Sequence, residues 1–261
     1  MQAPAWLERG TERRALHFGM NLRSGDRIVT GPRARVVLRL EEGSHVKLGA
    51  NAQLSLDSLQ VPVDDSGVFS GALDILKGAF RFTTTLVNRK RNITAQLRSA
   101  TIGIRGTDVW GKAEDGRDFV VLLEGQISIE RNGAETILDT PMSLFMAPRD
   151  QPALPVAPVD PDDLGRWAQE TEPQAGQGVI NEGGEYRANL ASYRDEAGAA
   201  RLAERLGAAG YRTTAARVEV NGQSWWRVMV TNLATRADAE SVSRQISSVV
   251  PLSSAWVERR P

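Results

Sequence analysis

The sequence predicts a chain of two folded units of different class. The first, residues 16–148, is an all-β unit of sandwich or barrel-like form. The second, residues 185–261, is an α+β unit in the order βαββαβ, and a Pro- and Gly-rich linker spans 149–184. Three observations predict this. Short stretches of two-residue hydrophobic alternation, separated by turn pairs, fill the first half. Six of the twelve prolines fall between Pro148 and Pro173. Helical spacing of apolar residues is clear in two stretches near the C-terminus, each bracketed by strand patterns.

The β elements are read in order. From Ala34 to Leu40, Val36, Leu38 and Leu40 share one face and Arg35 and Arg39 the other, the mark of a half-buried strand. The same pattern fits His45–Leu48, Gln53–Leu56, Ala72–Leu76, Ile93–Leu97, Thr101–Ile104, Phe119–Leu123, Ile127–Glu130 and Glu135–Leu138. Gly31-Pro32, Glu42-Gly43, Ser66-Gly67, Asp115-Gly116, Glu124-Gly125 and Asn132-Gly133 punctuate them; Asn-Gly between strands is a hairpin signal. Trp6–Arg14 is the one early stretch with some helical periodicity. In the linker, Pro161-Asp162 starts a short helix over Asp162–Gln169, with Leu164 and Trp167 spaced to dock on a neighbour. Around Gly176–Gly184 the glycines predict a flexible tether.

The C-terminal unit reads as strand Tyr186–Tyr193, helix Asp195–Ala209 stopped by Gly210, and strand Arg212–Val220. An Asn221-Gly222 turn leads to strand Trp225–Thr231, then helix Thr235–Val249 capped by Thr235, then strand Ser254–Glu258. This order gives a four-stranded antiparallel sheet with both helices on one face and the other face open. Alternation sends Val228 and Val230 to the helices and Trp225, Arg227 and Met229 outward. Ala188 and Leu190 face the core, so Arg187 and Asn189 point outward. Ser192 lies at the strand end, and Trp256 can reach either side.

An indole, a guanidinium, an amide and a hydroxyl on one surface suit a sugar: the ring covers the C–H face of a pyranose and the polar groups read its hydroxyls and amides. The same set suits single-stranded nucleic acid. It is also compatible with plain structure, with Trp225 covering a sheet edge and Arg227 lying over it.

Composition narrows the field. Lys plus Arg and Asp plus Glu are both 32, so no basic excess marks a general binder of nucleic acid or anionic membranes. Cysteine is absent, which removes disulfides, thiolate metal sites and thiol nucleophiles. No run of about 18 apolar residues predicts a membrane-spanning helix. The opening Met1-Gln2-Ala3-Pro4-Ala5 does not read as a signal peptide. His17 and His45 lie in unrelated contexts, so no metal site is expected. Neither a phosphate-binding Gly loop nor a Gly-x-Ser-x-Gly elbow occurs, Thr83-Thr84-Thr85 reads as a strand end, and no cofactor is expected. Arg105-Gly106-Thr107-Asp108 reads as structural, with Arg105 pairing to a carboxylate such as Glu124 or Asp108.

Tyr186-Arg187-Ala188-Asn189-Leu190-Ala191-Ser192-Tyr193, the Ala-rich helix with Leu202 and Leu206, and Trp225-Trp226-Arg227-Val228-Met229-Val230 resemble the SPOR family of peptidoglycan binders over about Tyr186–Glu258. The resemblance implies binding to glycan strands stripped of stem peptides. It carries the family's glycan-facing positions onto Asn189, Ser192, Trp225 and Arg227. Two departures stand out: Asn189 replaces the usual Gln, and Thr231-Asn232-Leu233 replaces a Gly-Pro-Phe-like turn.

From Leu22 to about Phe145 the chain resembles the FecR-like domain family, through Ser24-Gly25-Asp26-Arg27-Ile28-Val29-Thr30-Gly31, Glu42-Gly43-Ser44, Gly78-Ala79-Phe80-Arg81-Phe82, Ile104-Arg105-Gly106-Thr107 and Leu123-Glu124-Gly125-Gln126-Ile127. Together the resemblances imply a non-enzymatic, periplasmic cell-envelope protein. Its implied ligand is the peptidoglycan glycan strand, and an envelope or divisome protein is a candidate partner for the β unit; nucleic acid is not expected. The alternative they leave is a periplasmic signalling or scaffold protein in which the β unit carries the function.

Overall fold

The computed structural model describes residues 1–60, 69–84, 91–252 and 254–260. The turn expected at Ser66-Gly67, and Thr85, lie outside them. The first half contains β1 (Ala5–Arg9), β2 (Glu12–Ala15), β3 (Arg27–Thr30), β4 (Val36–Arg39), β5 (His45–Leu48), β6 (Gln53–Gln60), β7 (Phe69–Thr83), β8 (Arg91–Gln96) and β9 (Thr101–Ile104). It continues with β10 (Asp108–Ala113), β11 (Arg117–Glu124), β12 (Ile127–Arg131), β13 (Ala134–Leu138), β14 (Ser143–Pro148) and β15 (Ala157–Pro158). After α1 (Pro161–Thr171) come β16 (Tyr186–Tyr193), α2 (Glu196–Ala208), β17 (Thr214–Val220), β18 (Gln223–Leu233), α3 (Arg236–Ser247) and β19 (Trp256–Arg259).

The predicted class holds in both halves: a large β structure comes first, and a four-stranded antiparallel sheet with two helices follows. In the first half, one layer runs β2-β1-β3-β6-β7-β8-β9-β12-β13 and the other β4-β5-β7-β10-β11-β14-β15. The long β7 belongs to both. Up to Lys77 it pairs with β6, and from Gly78 it pairs with β10. Gly78 makes the transition: its φ is +88°, and a Cβ there would sit 2.6 Å from Ala52, so only glycine fits. Leu7, Ile28, Leu54, Ile75, Ile93 and Ile102 from one layer meet Val46, Leu48, Phe80, Phe82, Val109 and Val120 from the other in one buried core.

Two sequence expectations change here. Trp6–Arg14 is not helical. Ala5 and Leu7 alternate into the core, and Gly10, at φ +58°, turns the chain so that Arg9 pairs with Glu12 in a hairpin. Burial of one strand face outweighs weak helical periodicity. Arg105 is exposed, and the cation on Asp108 is Arg81, whose Nε and Nη2 reach its two carboxylate oxygens at 2.9 and 2.7 Å.

The expected short helix is α1, capped by Asp160 Oδ1 accepting from the Asp162 N–H at 2.8 Å with Pro161 in its first turn. Trp167 stacks on Trp110 with ring centroids 5.3 Å apart and planes 6° from parallel. Glu172 takes Lys47 and Arg81, and Glu170 takes Lys112. The helix is thereby laid on the outer face of β7, β10 and β11.

Past α1 the chain is pinned, in contrast to the flexible tether expected at 176–184. The Gly178 and Val179 N–H groups both donate to Asp238 Oδ1 at 2.9 Å. Gln2 Nε2 donates to the Gln177 carbonyl at 3.1 Å and Gln2 Oε1 accepts from the Gln174 N–H at 2.9 Å. The first unit docks on the α2 end of the second: the Trp6 indole N–H donates to the Ala208 carbonyl at 3.0 Å, and the Ala5 N–H to that of Gly210 at 3.1 Å. Ala3 is buried within the C-terminal core beside Leu202, Leu206, Val230 and Val242.

Candidate functional site

The C-terminal sheet runs β17-β18-β16-β19. Helices α2 and α3 pack on one face of it, and α2 also meets β2 of the first unit. The docked unit therefore meets the helical side, and among the described residues no backbone hydrogen bond joins it to the opposite sheet face.

Register shows how the face is composed. Ala188 pairs with Val230, Asn189 with Met229, Ala191 with Val228 and Ser192 with Arg227. One extra residue, Leu190, sits in β16 between the second and third pairs, which is a β-bulge. Leu190 and Ala191 both turn to the helices. The bulge returns Ser192 to the open face in spite of its odd spacing from Asn189. Trp256 pairs with Asn189, Glu258 with Arg187 and Val218 with Trp225. The open face thus carries Arg187, Asn189 and Ser192 from β16, Trp225, Arg227 and Met229 from β18, and Trp256 and Glu258 from β19. All four sequence-identified residues share this face.

Their exposure differs from expectation. Trp225 is half-buried, with the Arg194 guanidinium carbon 3.7 Å from its ring centroid, and Arg194 Nη2 is held by Gln223 Oε1 at 2.6 Å. Arg227 lies over the ring of Trp256 at 4.7 Å. Asn189 is 0% exposed, although alternation had sent it outward to solvent. It points to the open face but is enclosed in the row between Met229 and Trp256. Neither side-chain atom of Asn189 completes a hydrogen bond, nor does the buried Nε of Arg227.

Glu258 explains part of this packing. Burial alone would raise its carboxyl, but the nearby Asn189 amide and the Arg187 guanidinium, with Arg227 more distant, outweigh burial and hold it below its ordinary value. Asn189 is thus close enough to favour the carboxylate without making a well-formed bond to it. Glu258 is ion-paired with Arg187, so β19 is fastened to β16 beneath Trp256. Arg194, Glu258 and the burial of Asn189 were missed in the sequence. For Glu258 a signal existed in its two-residue offset from Trp256; for Arg194, beyond the strand end, none did.

The face therefore presents two indoles, a guanidinium and a hydroxyl to one extended ligand, with arginines lying over both indoles and the Asn189 amide enclosed beneath Trp256. This chemistry stacks on the C–H face of a ring and hydrogen-bonds its substituents.

Comparisons with known proteins agree with the two-part organisation. No curated protein matches the chain. Two solved structures of a protein assigned as an anti-sigma factor from Parabacteroides distasonis ATCC 8503 are similar to it. One shares 18% identity over 55% of this chain and 64% of its own, the other 16% over 61% and 68%, each with a TM-score of 0.44; the chain thus spans under two thirds of the first. Residues 26–128 match the FecR protein family and residues 182–257 the SPOR domain family, so the chain carries a FecR domain followed by a SPOR domain.

Proposed function

We propose that this is a non-enzymatic, periplasmic envelope protein that binds peptidoglycan glycan strands poor in stem peptides through the open face of its SPOR domain. The observation that carries the reading is the shared register of Ser192 with Arg227 and of Asn189 with Trp256, which gathers Trp225, Arg227, Asn189 and Ser192 on a face turned away from the FecR domain. An indole adds about 0.5–1.5 kcal/mol beyond its buried area when it stacks, and a hydrogen bond from a charged donor about 1.5–3 kcal/mol. Losing either should weaken binding about tenfold or more. The test is cosedimentation with intact and amidase-treated sacculi. Trp225→Ala and Arg227→Ala are expected to remain folded, at a lowered melting temperature because both side chains are half-buried, and to lose binding to the treated sacculi. Full binding by both folded variants, or release of muropeptides by the protein, overturns the proposal.

A second reading assigns the function to the FecR domain, as a signalling or scaffold unit that engages an envelope or divisome protein while the SPOR domain holds it at the wall. The docking of the FecR domain on the helical side supports it, because that leaves the glycan face free while a partner is engaged. Cross-linking in envelope extracts tests it: a partner captured equally by a Trp225→Ala variant belongs to the FecR domain.

A further inference from the structure

We propose that the open face reads the acetamido group of an N-acetylated amino sugar through Asn189 and Arg227, under the indole of Trp256. The proposal rests on the glycan-binding reading above and adds the substituent that the face selects.

Buried polar groups are paired in nearly all native structures, and the exceptions mark places where something else belongs. Here two exceptions lie on one sheet face, on adjacent rows. Asn189 is fully buried, with its amide N–H group held near the Glu258 carboxylate and its Oδ1 without a partner, and the Nε of Arg227 is buried and without a partner. One offers an acceptor and the other a donor. A secondary amide carries the complementary pair, an N–H to donate to Asn189 Oδ1 and a carbonyl to accept from Arg227 Nε. Its methyl group has an apolar neighbour in Met229, which pairs with Asn189 and is itself buried. A free amine brings a second cation beside Arg227 and no carbonyl.

Access lies through Trp256. It sits on the four-residue edge strand β19, is 36% exposed, and has the Arg227 guanidinium carbon 4.7 Å from its ring centroid. Rotation of this indole opens Asn189 without breaking the Arg187–Glu258 pair that secures the strand. The same indole can then close over the ring of the bound sugar.

The experiment uses the full chain and amidase-treated sacculi in two forms, N-acetylated and chemically N-deacetylated. The acetylated form is expected to bind at least tenfold more tightly. Asn189→Ala is expected to bring the two affinities together while keeping residual binding through Trp225 and Ser192. Arg227→Lys, which keeps the charge but loses the buried N–H, is the second variant should Asn189→Ala fail to melt as a folded protein. Equal binding of both sacculi by the unaltered chain overturns the proposal and leaves glycan binding standing. A preference that survives in either folded variant also overturns it. Binding to neither form removes the glycan reading itself.

Discussion

The indole of Trp6 occupies the space that a side chain on Gly210 would need: a Cβ at Gly210 would lie 2.8 Å from the Trp6 ring and 2.9 Å from Pro4. Gly210 ends α2, as expected from sequence, and also forms the floor on which the FecR domain rests. Its φ of +84° adds a second demand for glycine. Gly210→Ala is expected to cost about 1–2 kcal/mol from backbone conformation alone, with the displaced indole adding to it. The measurement is a thermal melt together with limited proteolysis. Cleavage within 174–184 should rise as the two domains separate, and unchanged protease resistance would count against docking through this contact.

Asp238 is fully buried and receives two backbone N–H groups from the segment between the domains, as well as the Thr235 hydroxyl at 2.6 Å. Asp238→Ala strands those donors, at about 1–3 kcal/mol for each one left buried. Chemical denaturation should show a loss of about 2–4 kcal/mol. Asp238→Asn keeps an acceptor and should recover part of it.

Trp167 is half-buried and makes the stacked contact of α1 with Trp110. Truncating a fully buried tryptophan costs about 3–5 kcal/mol, so Trp167→Ala should cost about 2 kcal/mol. Trp167→Phe should restore most of it. Amide exchange over 161–171 is expected to accelerate in the alanine variant, because the remaining ion pairs are partly exposed and contribute little.

Glu258 sets a pH dependence. Its carboxyl lies below the ordinary value of 4.5 in the folded chain, so folding is favoured by its ionisation. The stabilisation is complete above about pH 4.5 and is lost as pH falls through the lower folded value. Melting temperature should therefore drop on acidification below pH 4.5, with β19 loosening first in amide exchange. In Glu258→Gln that part of the slope should vanish.

Much of this architecture was legible because it follows from alternation and turn chemistry. Asn132-Gly133 and Asn221-Gly222 both adopt positive φ at their two residues, as a two-residue hairpin requires. Thr235 caps α3 through the hydroxyl that identified it, and Asp195, read from sequence as the first helical residue, instead caps α2 through its carboxylate. What stayed hidden depends on neighbours distant in sequence. β10 buries Val109, Trp110 and Gly111 consecutively because α1 covers its outer face, so no alternation marks it. Asn189 has the parity of an exposed residue, yet its burial is imposed by Trp256, 67 positions later. The bulge at Leu190 is invisible to a strict two-residue period, although it decides where Ser192 points.

The seat of Ala3 inside the SPOR core has a practical consequence for dissecting the molecule. A fragment beginning near residue 182 follows the family boundary but omits a side chain that fills its own interior, and exposes the surface that Pro4 and Trp6 cover. Such a fragment would be expected to melt lower than the same domain within the intact chain. Wall affinities measured on it would then mix recognition with instability. Supplying residues 1–5 as a peptide, or joining them ahead of residue 174 by a short spacer, should recover the lost stability, because what is contiguous in space here is interleaved along the chain.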